Sequence, residues 1–188
     1  ARNKLWERVY PRSAARAALD LIGAAKTSAN TWWPSPNMSK ITLRQAVVED
    51  ADAIATLVSE AYGPYIARIG REPAPMLDDY QQVVREDDVF VATLASRIVG
   101  LLVMRREGRE LLLVNVAVLP ACKGQGIGRM LMDFCEAHAR AAGSEAIRLY
   151  THERMTENIA IYARLGYHET HRAAQDGFER VFMRKSLL

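Results

Sequence analysis

The 188 residues are 49% hydrophobic and 25% charged, which is ordinary for a globular chain and enough for one well-packed domain but not two comfortable ones. No apolar run approaches the ~20 residues of a membrane-spanning helix, and the first residues do not form a secretory signal, so no membrane partner is expected. Six basic and two acidic side chains fall in residues 1–37, which leaves residues 38–188 close to neutral despite a formal net charge of +3; nucleic acid is therefore not an expected partner of that longer part.

Residues 1–37 read as a unit apart, an N-terminal extension. An Ala/Arg-rich stretch over 13–25 has Ala17, Leu21 and Ala24 at helical spacing, and Trp32-Trp33-Pro34-Ser35-Pro36 then breaks any regular element. Three readings stand: an upstream extension with Met38 as the start, an Arg-rich targeting segment, or an arm anchored by Trp32 and Trp33.

From residue 38 onward the pattern is that of one α/β domain. Residues 41–46 alternate at period two, a strand; Glu49-Asp50 opens a helix with Ile54, Leu57, Val58 and Ala61 on one face, stopped by Gly63-Pro64. A Pro-rich stretch leads to a second short helix over about 77–85. Strands follow at 89–94 and 98–106, with a turn at 95–97 between them, and then a strongly apolar strand at 111–119. A Gly-rich loop opens an amphipathic helix carrying Ile127, Met130, Leu131, Phe134, Cys135 and His138, ended by Gly143. The remainder reads as strand 147–151, helix 156–165, strand 167–171 and strand 178–184. This order predicts a mixed, mostly antiparallel sheet flanked by helices and not a doubly wound sheet. The two cysteines, Cys122 and Cys135, lack metal-ligand spacing, so no metal is expected and a reduced, cytoplasmic setting is.

The chemistry concentrates in residues 114–131, VNVAVLPACKGQGIGRML. A buried strand ends at Pro120, and a loop with Gly124, Gly126 and Gly128 runs straight into a helix. Glycines let backbone amides approach an anion, the helix start adds unpaired N–H groups, and Lys123 and Arg129 add charge. A P-loop would need Lys-Ser/Thr after its last glycine, and a dinucleotide fingerprint would need glycine at residue 129 or 131; the chain has neither. A tight strand-to-helix turn without a ligand is the plainer alternative, but one turn rarely needs three glycines and two cations.

The stretch resembles the pyrophosphate loop of the GNAT acetyltransferases, Arg/Gln-x-x-Gly-x-Gly/Ala. Lys123-Gly124-Gln125-Gly126-Ile127-Gly128 fits it, with Lys where Arg or Gln is usual, which keeps a cation and loses the guanidinium fork. The resemblance runs over about residues 41–185. It implies acetyl-CoA as co-substrate, with the amides of residues 125–129 on the pyrophosphate and the strand at Val116, Ala117 and Val118 along the pantetheine arm. The segment ENIAIYARLGY, residues 157–167, resembles the family's second CoA-side motif, whose helix tyrosine is the usual general acid; here that is Tyr162. A phenol with pKa ~10 can protonate a departing thiolate. The family's Asn seven residues before this Tyr is Met155 here, and Asn158 is the nearby candidate for cofactor contact. Leu113 stands where some members carry a general-base Glu, which leaves Glu110, His152 and Glu153 as candidates near strand ends.

The implied activity is acetyl transfer to a primary amine of a small molecule or peptide; the alternative is an acyl-CoA-binding regulatory module without turnover. Residues 61–80 fill the family's variable acceptor region, where Tyr62, Tyr65, Arg68, Arg71 and Tyr80 are candidates; the two arginines suit an acceptor with a carboxylate. Strands 111–119 and 178–184 leave a homodimer open.

Overall fold

The computed structural model describes residues 41–188. The readings made for residues 1–37, including the helix over 13–25 and the tryptophan anchors, lie outside the described residues, as does the start at Met38.

Seven strands form one sheet in the order β1-β2-β3-β4-β5-β7-β6. They are β1 (Ile41–Gln45), β2 (Asp88–Leu94), β3 (Arg97–Glu107), β4 (Glu110–Val118), β5 (Ala146–His152), β6 (His168–Gln175) and β7 (Phe178–Ser186). Only the β4–β5 pair is parallel. The sheet is thus mixed and mostly antiparallel, as the element order predicts. Residues 98–104 of β3 are buried without alternation, so both faces of the sheet are covered there.

Helix α1 (Ala51–Tyr62) buries Ala51, Ile54, Leu57, Val58 and Ala61, one stripe at helical spacing. Its start is fixed by Asp50, which accepts the Val47 N–H at 2.8 Å and both terminal nitrogens of Arg44 at 2.7 and 2.8 Å. The Pro-rich stretch contains a further short helix, α2 (Ile66–Ile69), closed by Gly70 at φ 87°. Helix α3 (Tyr80–Glu86) begins three residues later than its apolar pattern predicts, because Asp79 caps it through Gln81 N–H at 2.9 Å and Gln82 N–H at 3.3 Å. Leu77 falls instead in a 3-10 turn and is exposed.

Helix α4 (Ile127–Ala141) lies across β3, β4 and β5. It approaches β3 over Gly100, where a Cβ would meet Ile127 Cγ2 at 3.0 Å and Leu131 Cδ1 at 3.1 Å. Phe90 and Phe134 pack with ring centroids 4.6 Å apart beneath it. Helix α5 (Thr156–Arg164) buries only Tyr162 and ends before Gly166, at φ 88°.

Candidate active site

The loop between β4 and α4 is built as the sequence predicts. Cys122 N–H bonds to Leu119 O at 2.8 Å and Lys123 N–H to Pro120 O at 3.2 Å, a tight turn that sends the chain back toward α4. Gly124 and Gly126 hold φ of 77° and 84°, a region in which a side chain is strained. The first helical bond of α4 runs from Met130 N–H to Gly126 O at 3.0 Å, so the amides of residues 127–129 precede any intrahelical partner. A Cβ on Gly128 would touch only Val118 Cγ2, at 3.8 Å, so packing does not require glycine there.

These residues line a cavity of about 640 Å³. Its walls include Lys123, Gly124, Gly126, Ile127, Gly128 and Arg129 from the loop, with Val116, Ala117 and Val118 from β4. Gln125 is not in the wall: its side chain turns back, donating to Ala121 O at 3.3 Å. Arg129 is partly committed, with its Nε on Asp133 at 2.7 Å.

The cavity reaches into the sheet because β4 and β5 separate. Their pairing covers only residues 110–113 against 146–149, although both strands continue. A bulge causes the parting: Met104 faces Leu113 and Val103 faces Asn115, which leaves Val114 as an extra residue in β4. Beyond it, residues 150–152 of β5 pair only with β7, and the β4 backbone at 114–118 has no neighbour on that side.

A second, smaller cavity of about 60 Å³ lies across this gap. The two cavities share Tyr62, Val116, Asn158 and Tyr162 in their walls. Tyr162 is 9% exposed, with its ring edge-on to Tyr167 at 5.9 Å. Burial above all, then Cys135 and Tyr65, push its phenol pKa above the usual value, so it is protonated throughout the physiological range. Asn158 lies with its amide 3.7 Å from the sulfur of Met155.

The tyrosines and arginines predicted on the acceptor side divide. Tyr62 lines both cavities, but its hydroxyl donates to Asn115 Oδ1 at 2.8 Å; Asn115 Nδ2 donates to Tyr80 Oη at 3.2 Å, and Tyr80 donates to Pro75 O at 2.7 Å. This buried chain of hydrogen bonds ties the end of α1, β4, α3 and the 74–77 turn together. Tyr65 and Arg68 line the larger cavity. Arg68 is paired with Glu157 at 2.6 and 2.9 Å, and this hydrogen bonding holds the Glu157 carboxyl down to about 2. Arg71 lines neither cavity; it lies 4.2 Å over the Phe178 ring and donates to Gly177 O at 3.3 Å.

Of the three base candidates, Glu110 sits at the far end of β4, bound to Arg148 at 2.7 Å and to Arg184 at 2.9 Å. Eight residues of strand, ~26 Å, separate it from Val118. Glu153 lines neither cavity, whereas His152 lines the smaller one. His152 Nδ1 accepts the Arg154 N–H at 3.1 Å, so its neutral ring carries the proton on Nε2, and burial keeps its pKa below the usual imidazole value. The sequence reading missed Asn115 and Arg180 in the smaller cavity. Asn115 had a signal, as the lone amide in the apolar run LLLVNVAV; Arg180 had none local to it.

A mixed sheet with two central strands forced apart, and a glycine-lined helix start at the mouth of the gap, is the architecture of a protein that binds an acyl-CoA. The protein-family model described as an acetyltransferase (GNAT) domain matches residues 85–169. The chain is 29% identical over 119 residues to the IAA acetyltransferase of Azospirillum brasilense, covering 62% of this chain and 77% of that protein. It is 26% identical over 147 residues to the aminoalkylphosphonate N-acetyltransferase of Salmonella typhimurium, covering 69% and 86%. Among solved structures it is similar in fold to the PaiA N-acetyltransferase of Thermoplasma acidophilum in complex with coenzyme A, with a TM-score of 0.66, 17% identity, and coverage of 78% of this chain and 98% of that one. Residues 85–169 thus carry a GNAT acetyltransferase domain, and the relatives support an N-acetyltransferase with acetyl-CoA as its acetyl donor. The residues present fit that co-substrate: free amides at a helix start, a glycine whose Cβ position is open, and a strand backbone without a neighbour. No helix among the described residues is long and apolar enough to cross a membrane.

Proposed function

We propose that the protein acetylates a primary amine of a small molecule or peptide by direct attack on the thioester, with Tyr162 as the proton donor to the departing thiolate. The observation that carries this reading is the position of Tyr162 in the wall shared by both cavities, where a donor on one side meets an acceptor on the other. Acetyl-CoA supplies the activated acyl group. The amides of residues 126–129 bind its pyrophosphate, aided by Lys123, and the unpaired backbone at Val116, Ala117 and Val118 aligns the pantetheine arm. Asn158 contributes a side-chain contact on the same side. The smaller cavity receives the amine, with Tyr62 fixed in its wall through Asn115. With Nδ1 of His152 engaged and no carboxylate among the described walls of that cavity, the amine releases its proton to water.

One relative is an aminoalkylphosphonate N-acetyltransferase, which is in keeping with an amine acceptor here. The test is Tyr162→Phe. Its turnover falls by ~10²–10⁴, while acetyl-CoA affinity by calorimetry changes by less than about threefold. Full turnover in Tyr162→Phe removes Tyr162 from the mechanism. Acetyl-CoA binding without thiol release from any amine replaces the enzyme reading with that of a regulatory acyl-CoA-binding module.

A further inference from the structure

The smaller cavity has a charge that the acetyl-transfer reading leaves unused. Asp176 and Gly177, at φ 53° and 75°, make the tight turn between β6 and β7. That turn fixes β7 so that Phe178 and Arg180, two residues apart, share a face, and both line the cavity. Arg180 is 7% exposed, and its guanidinium carbon lies 4.1 Å from the centre of the Tyr150 ring. Among the described residues its one hydrogen bond goes to Asp176 Oδ2, at 3.1 Å. A guanidinium has five N–H donors, and this partner is itself 69% exposed and well solvated.

A buried arginine is normally balanced by a carboxylate buried with it. Here the other polar side chains among the described walls are Tyr62, Asn115, Tyr150, Thr151, His152, Asn158 and Tyr162, none of them an acid. A histidine ring is either neutral or cationic, so His152 supplies no counter-charge. The cavity therefore has one poorly compensated cation in the same wall as Tyr162, with more donors than the one partner uses. The two arginines that the sequence offered for this task are spent elsewhere, Arg68 on Glu157 and Arg71 on Phe178.

We propose that Arg180 is an anion subsite and that the acceptor is a short amine bearing an oxyanion group, a carboxylate or a phosphonate. The planar fork of Arg180, its carbon 4.1 Å from the Tyr150 ring centre, binds two oxygens of that group and sets the amine toward the gap between β4 and β5. The small volume limits the acceptor to a few atoms between amine and anion. This inference rests on the smaller cavity being the acceptor side.

The experiment uses the full chain with two paired panels: short amino acids against their amides, and short aminoalkylphosphonates against their dialkyl esters. Binding is measured by calorimetry on protein saturated with CoA, so that no turnover intervenes, and thiol release is measured separately with acetyl-CoA. The wild type favours the anionic member of at least one pair by roughly 10- to 100-fold, the span of a charge-assisted pair of hydrogen bonds; the pair that shows it names the oxyanion. Arg180→Gln brings that ratio to within about twofold, and Arg180→Lys keeps part of it, because a point charge remains without the fork. Should Arg180→Gln not fold, as judged by melting and CoA affinity, the partial loss in Arg180→Lys carries the test. A wild type without anion preference overturns the proposal, as does a folded Arg180→Gln, or an Arg180→Lys, that keeps the full ratio. Anion preference in binding with no thiol release from any acceptor upholds the subsite and defeats the catalytic reading instead.

Discussion

Tyr162 gains its meaning from burial. On the surface of a short helix it would be one more amphipathic aromatic; here it separates two cavities, with a phenol pKa pushed above its ordinary value of ~10. A general acid works below its own pKa, so raising that pKa moves the loss of activity to higher pH. The rate of acetyl transfer therefore rises with pH as the amine deprotonates and shows no descending limb up to about pH 10. A fall in kcat centred below pH 9, absent in Tyr162→Phe, would place the phenol in a different electrostatic setting. Gly128 tests the other side of the site. Valine there fits the fold, since the Cβ position is open, so stability changes by less than about 1 kcal/mol. Its methyl groups fill the space in front of the amides, and acetyl-CoA affinity drops by at least roughly tenfold, the worth of one charge-assisted hydrogen bond. Equal losses of melting temperature and affinity would mean that Gly128 serves packing. The loop was legible because its chemistry is local: three glycines, a lysine and a helix start lie within residues 123–128. The arginines were not, because which guanidinium meets a carboxylate is decided across the fold. Arg68 finds Glu157, 89 positions away, and Arg180 enters the smaller cavity only because β7 pairs with β5.

Elements with a strong period were read correctly to within a few residues, and the errors have causes. The α3 start moved to Asp79 because a carboxylate cap outweighs one more apolar residue. Strand β6 runs on to Gln175, beyond the residue 171 at which its pattern fades, because all eight of its residues are exposed and it is held by backbone pairing to β7. The bulge at Val114, which opens the gap, lies inside the apolar strand β4 with no glycine or proline to mark it. The β2–β3 turn is the element whose local chemistry is least satisfied. Ala95 and Ser96 sit at φ 47° and 67°, the two-residue hairpin geometry that favours Asn-Gly. Each pays for a Cβ in a left-handed conformation, ~1–2 kcal/mol. The double substitution Ala95→Asn, Ser96→Gly stabilises the protein by about 1–2 kcal/mol and raises the midpoint of a thermal melt by ~2–4 °C per kcal/mol. Since the turn lines neither cavity, the KM for acetyl-CoA stays unchanged, and a shift in KM would reveal coupling between this hairpin and the loop.

At the scale of the whole molecule, sheet and site are one construction. The single parallel pair, β4–β5, joins the two halves of the sheet and is also where the sheet opens. Every described wall residue of both cavities lies between Ala61 and Arg180, and among the described residues β1, from Ile41, is the outermost strand on its side. These residues hold the glycine loop, Tyr162 and both cavities, so we propose the domain boundary at Met38. Residues 1–37 carry six basic side chains against two acidic ones, a charge that would attract a polyanionic co-substrate. At 0.15 M ionic strength such attraction is largely screened beyond about 8 Å. A chain beginning at Met38 accordingly keeps its acetyl-CoA affinity and kcat to within about twofold at that ionic strength, with at most a modest loss in on-rate at 0.01 M, where screening reaches only ~30 Å. Calorimetry and thiol release on the two chains side by side decide it. A tenfold loss of affinity at 0.15 M would mean that the first 37 residues contribute contacts to the site and that the boundary is misplaced.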